Sequence, residues 1–168
     1  MNDVLQAIFD RRSIRKYKDI PVSNEQLNLL LKAGQAAASA MNQQPWYFVA
    51  VTRKDLIEQI GGLISENRDP YYGAPLLILV FADSKAYSPV TDAALAIGNM
   101  MLAAHSMGLG SCWIDYSKVL FSHREFSGLA SSLGVPEGYF CVGSLVAGTP
   151  DETPEAHKNR PETMTVVG

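Results

Sequence analysis

The chain predicts an α+β fold, one sheet flanked by helices, and three observations carry that expectation. Segments with apolar residues at helical spacing mingle with short apolar runs of strand length, without strict β-α-β alternation. The run from Leu76 to Ala82 is continuously apolar, as in a strand buried on both faces. The stretch from Asp92 to Met107 is apolar nearly all round, so the helix it forms lies in the centre of something. In a chain of 168 residues such a helix often needs a second subunit to cover its outer side. No repeat, low-complexity tract or linker divides the sequence, which reads as one domain over residues 1–168.

Each element has its own signal. Asn2 or Asp3 can cap a first helix running to about Asp10, built on Val4, Leu5, Ile8 and Phe9. Ser23 and Gln26 have capping-box spacing ahead of a second helix, along which Leu27, Leu30, Leu31 and Gly34 recur. Small residues end it, and Pro45 pushes Gln44 out of helical geometry. Trp46 to Thr52 reads as a strand with Tyr47, Val49 and Val51 on one side. Arg53 to about Asn67 is an amphipathic helix, although Gly61-Gly62 costs about 1 kcal/mol per glycine against alanine. Asp69 to Gly73 is a turn. Ser88-Pro89 opens the long apolar helix, and Gly108-Leu109-Gly110 stops it before a strand over Ser111 to Ile114. Phe121 to Leu133 is expected as one helix ended by Gly134, and Tyr139 to Ala147 as the last core strand. After a solvated arm, the β-prone segment Thr163 to Val167 is expected to pair with a sheet edge, its own or a partner's.

Composition excludes more than it selects. Apolar content of 47% is ordinary, and a net charge of −3 gives no reason to expect nucleic acid or an anionic membrane as partner. The longest apolar run includes Asn99 and is too short to span a bilayer. The opening Asn2-Asp3 lacks a basic-then-apolar signal pattern, so a cytoplasmic protein is expected. His105, His123 and His157 share no ligand spacing, and no metal is expected. Cys112 and Cys141 form no CxxC, and Cys112 reads as packing, not as a nucleophile. No catalytic acid, base or nucleophile is expected anywhere.

Against that mildly acidic background, Arg11-Arg12-Ser13-Ile14-Arg15-Lys16-Tyr17 stands out. Guanidinium forks make paired, charge-assisted hydrogen bonds to phosphate oxygens, and the Ser13 hydroxyl can add another. A solvated basic turn would look the same in isolation. Asn42, Gln43 and Gln44 beside Trp46 offer donors and acceptors for a polar heterocycle, or else form a polar loop anchored by an indole. Gly108-Leu109-Gly110 lacks the third glycine of a dinucleotide fingerprint and follows a helix where that motif would open one. Small residues there still expose backbone N–H groups to the edge of a flat ring. Lys158-Asn159-Arg160 is a second cation pair that a folded-back tail would bring to the same phosphate.

Taken together, Arg11 to Tyr17, Ser39 to Trp46, the helix from Asp92 to Ala104, Gly108 to Ile114 and the Lys158/Arg160 pair resemble the FMN-dependent nitroreductase family, in order and over essentially the whole chain. The resemblance implies a mostly antiparallel sheet and a homodimer that exchanges C-terminal arms and holds two FMN molecules at its interface. It implies that Arg11, Arg12, Ser13 and Arg15 hold the flavin phosphate and adjacent polar edge, with Lys158 and Arg160 closing from the arm. Ser39, Ala40 and Asn42 would reach the flavin from the other subunit. Gly110 and Ser111 would line the ring near its reacting nitrogen, and Asn67 is a weaker match to a contact on the pyrimidine edge. The implied activity is ping-pong hydride transfer from NAD(P)H, as co-substrate, to a flat small-molecule acceptor such as a nitroaromatic or quinone. The chain departs from the family where Ala38-Ser39-Ala40 replaces a Pro-Ser-Ser pattern and where small residues stand for a Glu-Gly pair. A flavin carrier or sensor, or a flavin-modifying or dehalogenating relative, stays open at this stage.

Overall fold

The computed structural model describes residues 2–65, 67–156, 158 and 163–168, and shows the expected α+β architecture in three layers. Strands β1 (Trp46–Val51), β2 (Leu76–Asp83), β3 (Gly110–Ile114) and β4 (Tyr139–Gly148) form an antiparallel sheet in the order β1-β2-β4-β3. Helices α2 (Asn24–Gln35) and α4 (Pro89–Ser106) cover one face, where Leu30, Ile97 and Met100 meet Leu76, Ile78 and Val80. On the other face, α3 (Lys54–Ile64), α5 (Tyr116–Ser122) and α6 (Ser127–Ser132) surround Leu77, Leu79 and Phe81. The alternation along β2 is the strand pleat itself, and it explains why this strand has no polar position before Asp83. Tyr47, Val49 and Val51 share the α3 side, as the alternation in β1 predicts.

Helix α1 (Asp3–Asp10) is capped by Asn2, whose side chain accepts from the Leu5 N–H, and α2 by the full Ser23/Gln26 capping box. Gly34 lets α2 approach the sheet and α4: a Cβ there would come within 3.0 Å of the Phe48 ring and 3.2 Å of Met100. On the opposite face a buried chain of hydroxyls runs from Tyr71 through Ser117 to Ser144, at 3.0 and 2.6 Å. It satisfies three polar groups that would otherwise be orphaned in the core.

Three expectations are corrected. The helix expected from Phe121 to Leu133 is two helices, α5 beginning at Tyr116 and α6 at Ser127, parted by a short turn at Arg124–Phe126. The earlier start lets Ser117 and Leu120 bury, whereas His123, Arg124 and Glu125 have nothing apolar to hold a continuous helix in place. Helix α3 ends at Ile64, because Ser65 is already extended, so Asn67 lies beyond it. In this chain, residues 163–168 form no strand with its own sheet, and Met164, Val166 and Val167 are exposed.

Candidate functional site

The cationic stretch is a strap laid along the free edge of β3. Ser13 pairs in parallel with Ser111, the Ile14 N–H donates to the Ser111 carbonyl at 3.0 Å, and Tyr17 pairs with Pro150. Ile14 is buried and seats against Gly110, where an added Cβ would lie 2.7–2.9 Å from three Ile14 carbons. Gly110 is therefore required by close approach of strap and strand. The Tyr17 hydroxyl donates to the Ile14 carbonyl at 2.5 Å, and burial holds its pKa well above the usual phenol value.

The segment after β4 clamps the strap from the other side. The Lys18 N–H donates to the Thr149 carbonyl and the Asp151 N–H to the Lys16 carbonyl, both at 2.9 Å. The Glu152 carboxylate accepts the Arg15 N–H, and the Arg12 Nε donates to the Glu155 carbonyl at 3.2 Å. Lys16 and Asp151 form an exposed ion pair at 2.9 Å, which raises the lysine pKa and lowers that of the aspartate. Sequence reasoning missed Asp151, Glu152 and Glu155 as strap partners. Their signal was weak, since acidic residues in a proline-rich tail read equally well as solvated chain.

Strap, tail and the turn between α4 and β3 enclose a cavity of about 270 Å³, lined by Arg11, Arg12, His105, Gly110, Ser111 and Glu152 among others. Among the described residues, two buried polar atoms on residues lining it have no hydrogen-bond partner: Arg11 Nη1 and Ser111 Oγ. A buried guanidinium nitrogen without an acceptor is costly, and an oxygen-rich anion supplies what it lacks. Arg11 also borders a cavity on the outer side of α4, with Ile8, Leu95, Gly98 and Asn99. Structure thus brings Arg11, Arg12, Gly110 and Ser111 together, with Ser13 bridged to Ser111 and Arg15 exposed two residues on.

Ser39, Ala40 and Asn42 form a second group, at the N-terminal end of α4. Here the chain makes a tight turn over Ala40–Asn42, and Met41, Asn42 and Gln44 all have positive φ, between 47° and 55°. Non-glycine residues are uncommon there, and such strain gathers at functional turns. The turn is nevertheless well held. Ser39 Oγ accepts the Gln44 N–H, Asn42 Oδ1 accepts from Gln44 Nε2, and Gln43 Oε1 accepts the Tyr87 N–H. Both carboxylate oxygens of buried Asp92 accept the Ala40 N–H, at 3.1 and 3.2 Å. Asp92 was missed as a site residue, although a lone carboxylate inside an all-round apolar helix is a readable anomaly.

The remaining residues lie elsewhere. Asn67 borders a separate cavity with Gly61, Gly62 and Asp69, and Lys158 is exposed in the tail. Arg160, with Asn159 and His157, lies outside the described residues. Cys112 is buried in the core, and burial raises its thiol pKa, although Arg15 and Ser13 act against that. A protonated, enclosed thiol is a poor nucleophile. Among the described residues no cluster of His, Cys, Asp and Glu could hold a metal, and no helix is long and apolar enough to cross a membrane.

Comparison with known proteins adds to this geometry. The model of the nitroreductase family matches residues 8–68 and 66–149. A Bacteroides fragilis nitroreductase crystallised with bound FMN superimposes with a TM-score of 0.95 over the whole of both chains, at 32% identity. A second, from Desulfitobacterium hafniense and also with bound FMN, gives 0.90 over both whole chains at 28% identity. A Bacillus subtilis protein named as an NAD(P)H FMN reductase is 30% identical over 89% of this chain and 67% of its own.

Proposed function

The chain belongs to the nitroreductase family, and from that premise we propose that it is an FMN-dependent oxidoreductase that passes hydride from NAD(P)H to a flat acceptor such as a nitroaromatic or quinone. The observation that carries the reading is the pair of buried atoms unsatisfied among the described residues, Arg11 Nη1 on a strap of four cations and Ser111 Oγ on the β3 edge beneath it. They match the chemistry of a flavin mononucleotide, with an anion for the guanidinium and polar ring or ribityl atoms for the hydroxyl. FMN-bound relatives of the same fold support the choice of this anion. Arg11, Arg12, Ser13 and Arg15 would hold the phosphate and adjacent edge, joined by Lys158 and Arg160 from the arm. Ser39, Ala40 and Asn42 would serve the flavin of a partner subunit. Gly110, Ser111 and Asn67 would meet the ring.

When bound, FMN supplies the redox chemistry, so the protein needs no acid, base or nucleophile of its own. The residues' task is to anchor, orient and leave one face open to solvent. The Ser111 carbonyl is taken by the Ile14 N–H, whereas its buried hydroxyl has no partner among the described residues and is left to face a ligand. Nicotinamide and acceptor are expected to use one open site in turn, because no dinucleotide fingerprint exists in the chain. Purified protein should show a flavin spectrum that NAD(P)H bleaches and a quinone restores. Initial rates should give parallel double-reciprocal lines. A spectrum unchanged by NADH and NADPH would make the protein a flavin carrier, and intersecting lines would refute the shared site.

A further inference from the structure

Asp92 is an expensive residue for its position. It is 4% exposed, in the first turn of α4, and among the described residues no Lys, Arg or His pairs with it. Its compensation is the N-terminal end of α4 and one shared backbone donor, the Ala40 N–H. A buried carboxylate costs more than the neutral acceptors that cap most turns. What it holds is the turn in which Met41 and Asn42 are left-handed, a shape that persists only when its surroundings over-determine it. The Ser39 hydroxyl closes the C-terminal side of that turn and Asp92 its N-terminal side.

We infer that Asp92 is a positioning residue for flavin binding: through the Ala40 N–H it fixes the turn that presents the Asn42 and Gln44 amides. This rests on the proposed role of Ser39, Ala40 and Asn42 toward the flavin ring. The inference separates two kinds of site residue. The strap meets the phosphate and must discriminate FMN from riboflavin, which lacks it. The turn meets the part both ligands share and must not discriminate.

The test titrates the full-length chain with FMN and with riboflavin, following flavin fluorescence, with circular dichroism to check folding. Asp92→Ala should weaken both ligands roughly tenfold or more, since a misplaced contact shell costs on that order. The ratio of the two affinities should stay within about twofold of wild type. Asp92→Asn keeps one oxygen acceptor and should recover most of the loss. Ala40→Pro deletes the donor and leaves the carboxylate in place; Ala40 opens the turn after extended Ser39, where proline is tolerated. It should reproduce Asp92→Ala, and the double variant should be no worse than either single one. Should Asp92→Ala fail to fold, Ala40→Pro decides alone. The inference is overturned if folded Asp92→Ala or Ala40→Pro binds both flavins as wild type does, if only FMN is lost, or if Asp92→Asn is as weak as the alanine variant. Asn42→Ala separates the levels: if it weakens flavin while Asp92→Ala does not, Asp92 alone is misread. If Asn42→Ala also changes nothing, the turn's place in the proposed site fails with it.

Discussion

Arg11 is one of two residues, among those described, with a buried polar side-chain atom left without a partner. The residue is half-buried, yet Nη1 is enclosed with no acceptor among the described residues. Replacing it by methionine keeps much of the stem's packing and removes the charge. Charge-assisted hydrogen bonds contribute about 1.5–3 kcal/mol each. Arg11→Met should therefore weaken FMN roughly ten- to a hundredfold while barely touching riboflavin. Arg15→Ala is expected to act in the same direction. Equal losses for the two flavins, measured by fluorescence titration, would remove the phosphate from this site. Cys141 makes a prediction about stability. Burial raises its thiol pKa to about 12 from 9.0. Below pH 9 the thiol is protonated in folded and unfolded chain alike, and stability is unaffected. Between about 9 and 12 the unfolded chain releases a proton that the native state keeps, so stability falls by up to about 1.4 kcal/mol per pH unit. Cys141→Ala should flatten that alkaline slope in denaturant titrations without abolishing it, because Cys112 and Tyr71 are shifted upward too.

Among the elements, the strap and the edge of β3 act as one unit, and Gly110 is its closest joint. A methyl at Gly110 would meet the Cγ1, Cβ and Cγ2 of Ile14 at 2.7–2.9 Å, and none of these is a flexible tip. Overpacking of this kind costs about 1–3 kcal/mol. Gly110→Ala should lower the melting temperature and weaken FMN, because the strap must move off β3; an unchanged FMN affinity would show that the strap's position is irrelevant. This joint also marks the limit of what the sequence revealed. Capping boxes, apolar periodicity and proline placed α1, α2, α4 and every strand close to their observed ends, since those signals are local. The Gly108–Gly110 pair was legible as a helix stop, but its approach to Ile14 joins residues 96 positions apart and leaves no local pattern. The α5–α6 break was unreadable for a similar reason: the burial of Ser117 and Leu120 against β4 set where the helix begins. For the site, the cations and amides were legible by type. The pairings of Asp92 and Glu152 that hold them in place were not, even though Asp92 is visible as a lone carboxylate, because the partners are backbone N–H groups that every residue carries.

At the scale of the whole molecule, the single chain leaves an unusual amount of apolar surface uncovered in one region. Helix α1 has no buried residue, and Val4, Leu5, Ile8 and Phe9 are all 44% exposed or more. Val90 and Leu95 on α4 are half-exposed, and Arg11 and Ile8 border the cavity beside Leu95. The arm adds Met164, Val166 and Val167, each at least 84% exposed. Uncovered apolar surface of this extent marks an interface, and a second copy of the chain with its own α1, α4 and arm is the expected occupant. A stable homodimer of this kind buries on the order of 2,000 Å² or more. Two truncations resolve what the arm contributes. Ending the chain after Ala156 leaves Thr149 to Glu155 against the strap and removes Lys158 and the apolar end. Dimer stability and the preference for FMN over riboflavin should both fall, while some flavin binding remains. Ending it after Gly148 also strips the clamp from Lys16 and Lys18, and flavin binding should then be lost altogether. Sedimentation at micromolar concentration reads the first effect and flavin titration the second. A chain ending at Gly148 that still binds FMN as wild type does would remove the clamp from the site, and an FMN-loaded monomer that resists dilution would place the cofactor within one subunit and leave the exposed faces of α1 and α4 without this role.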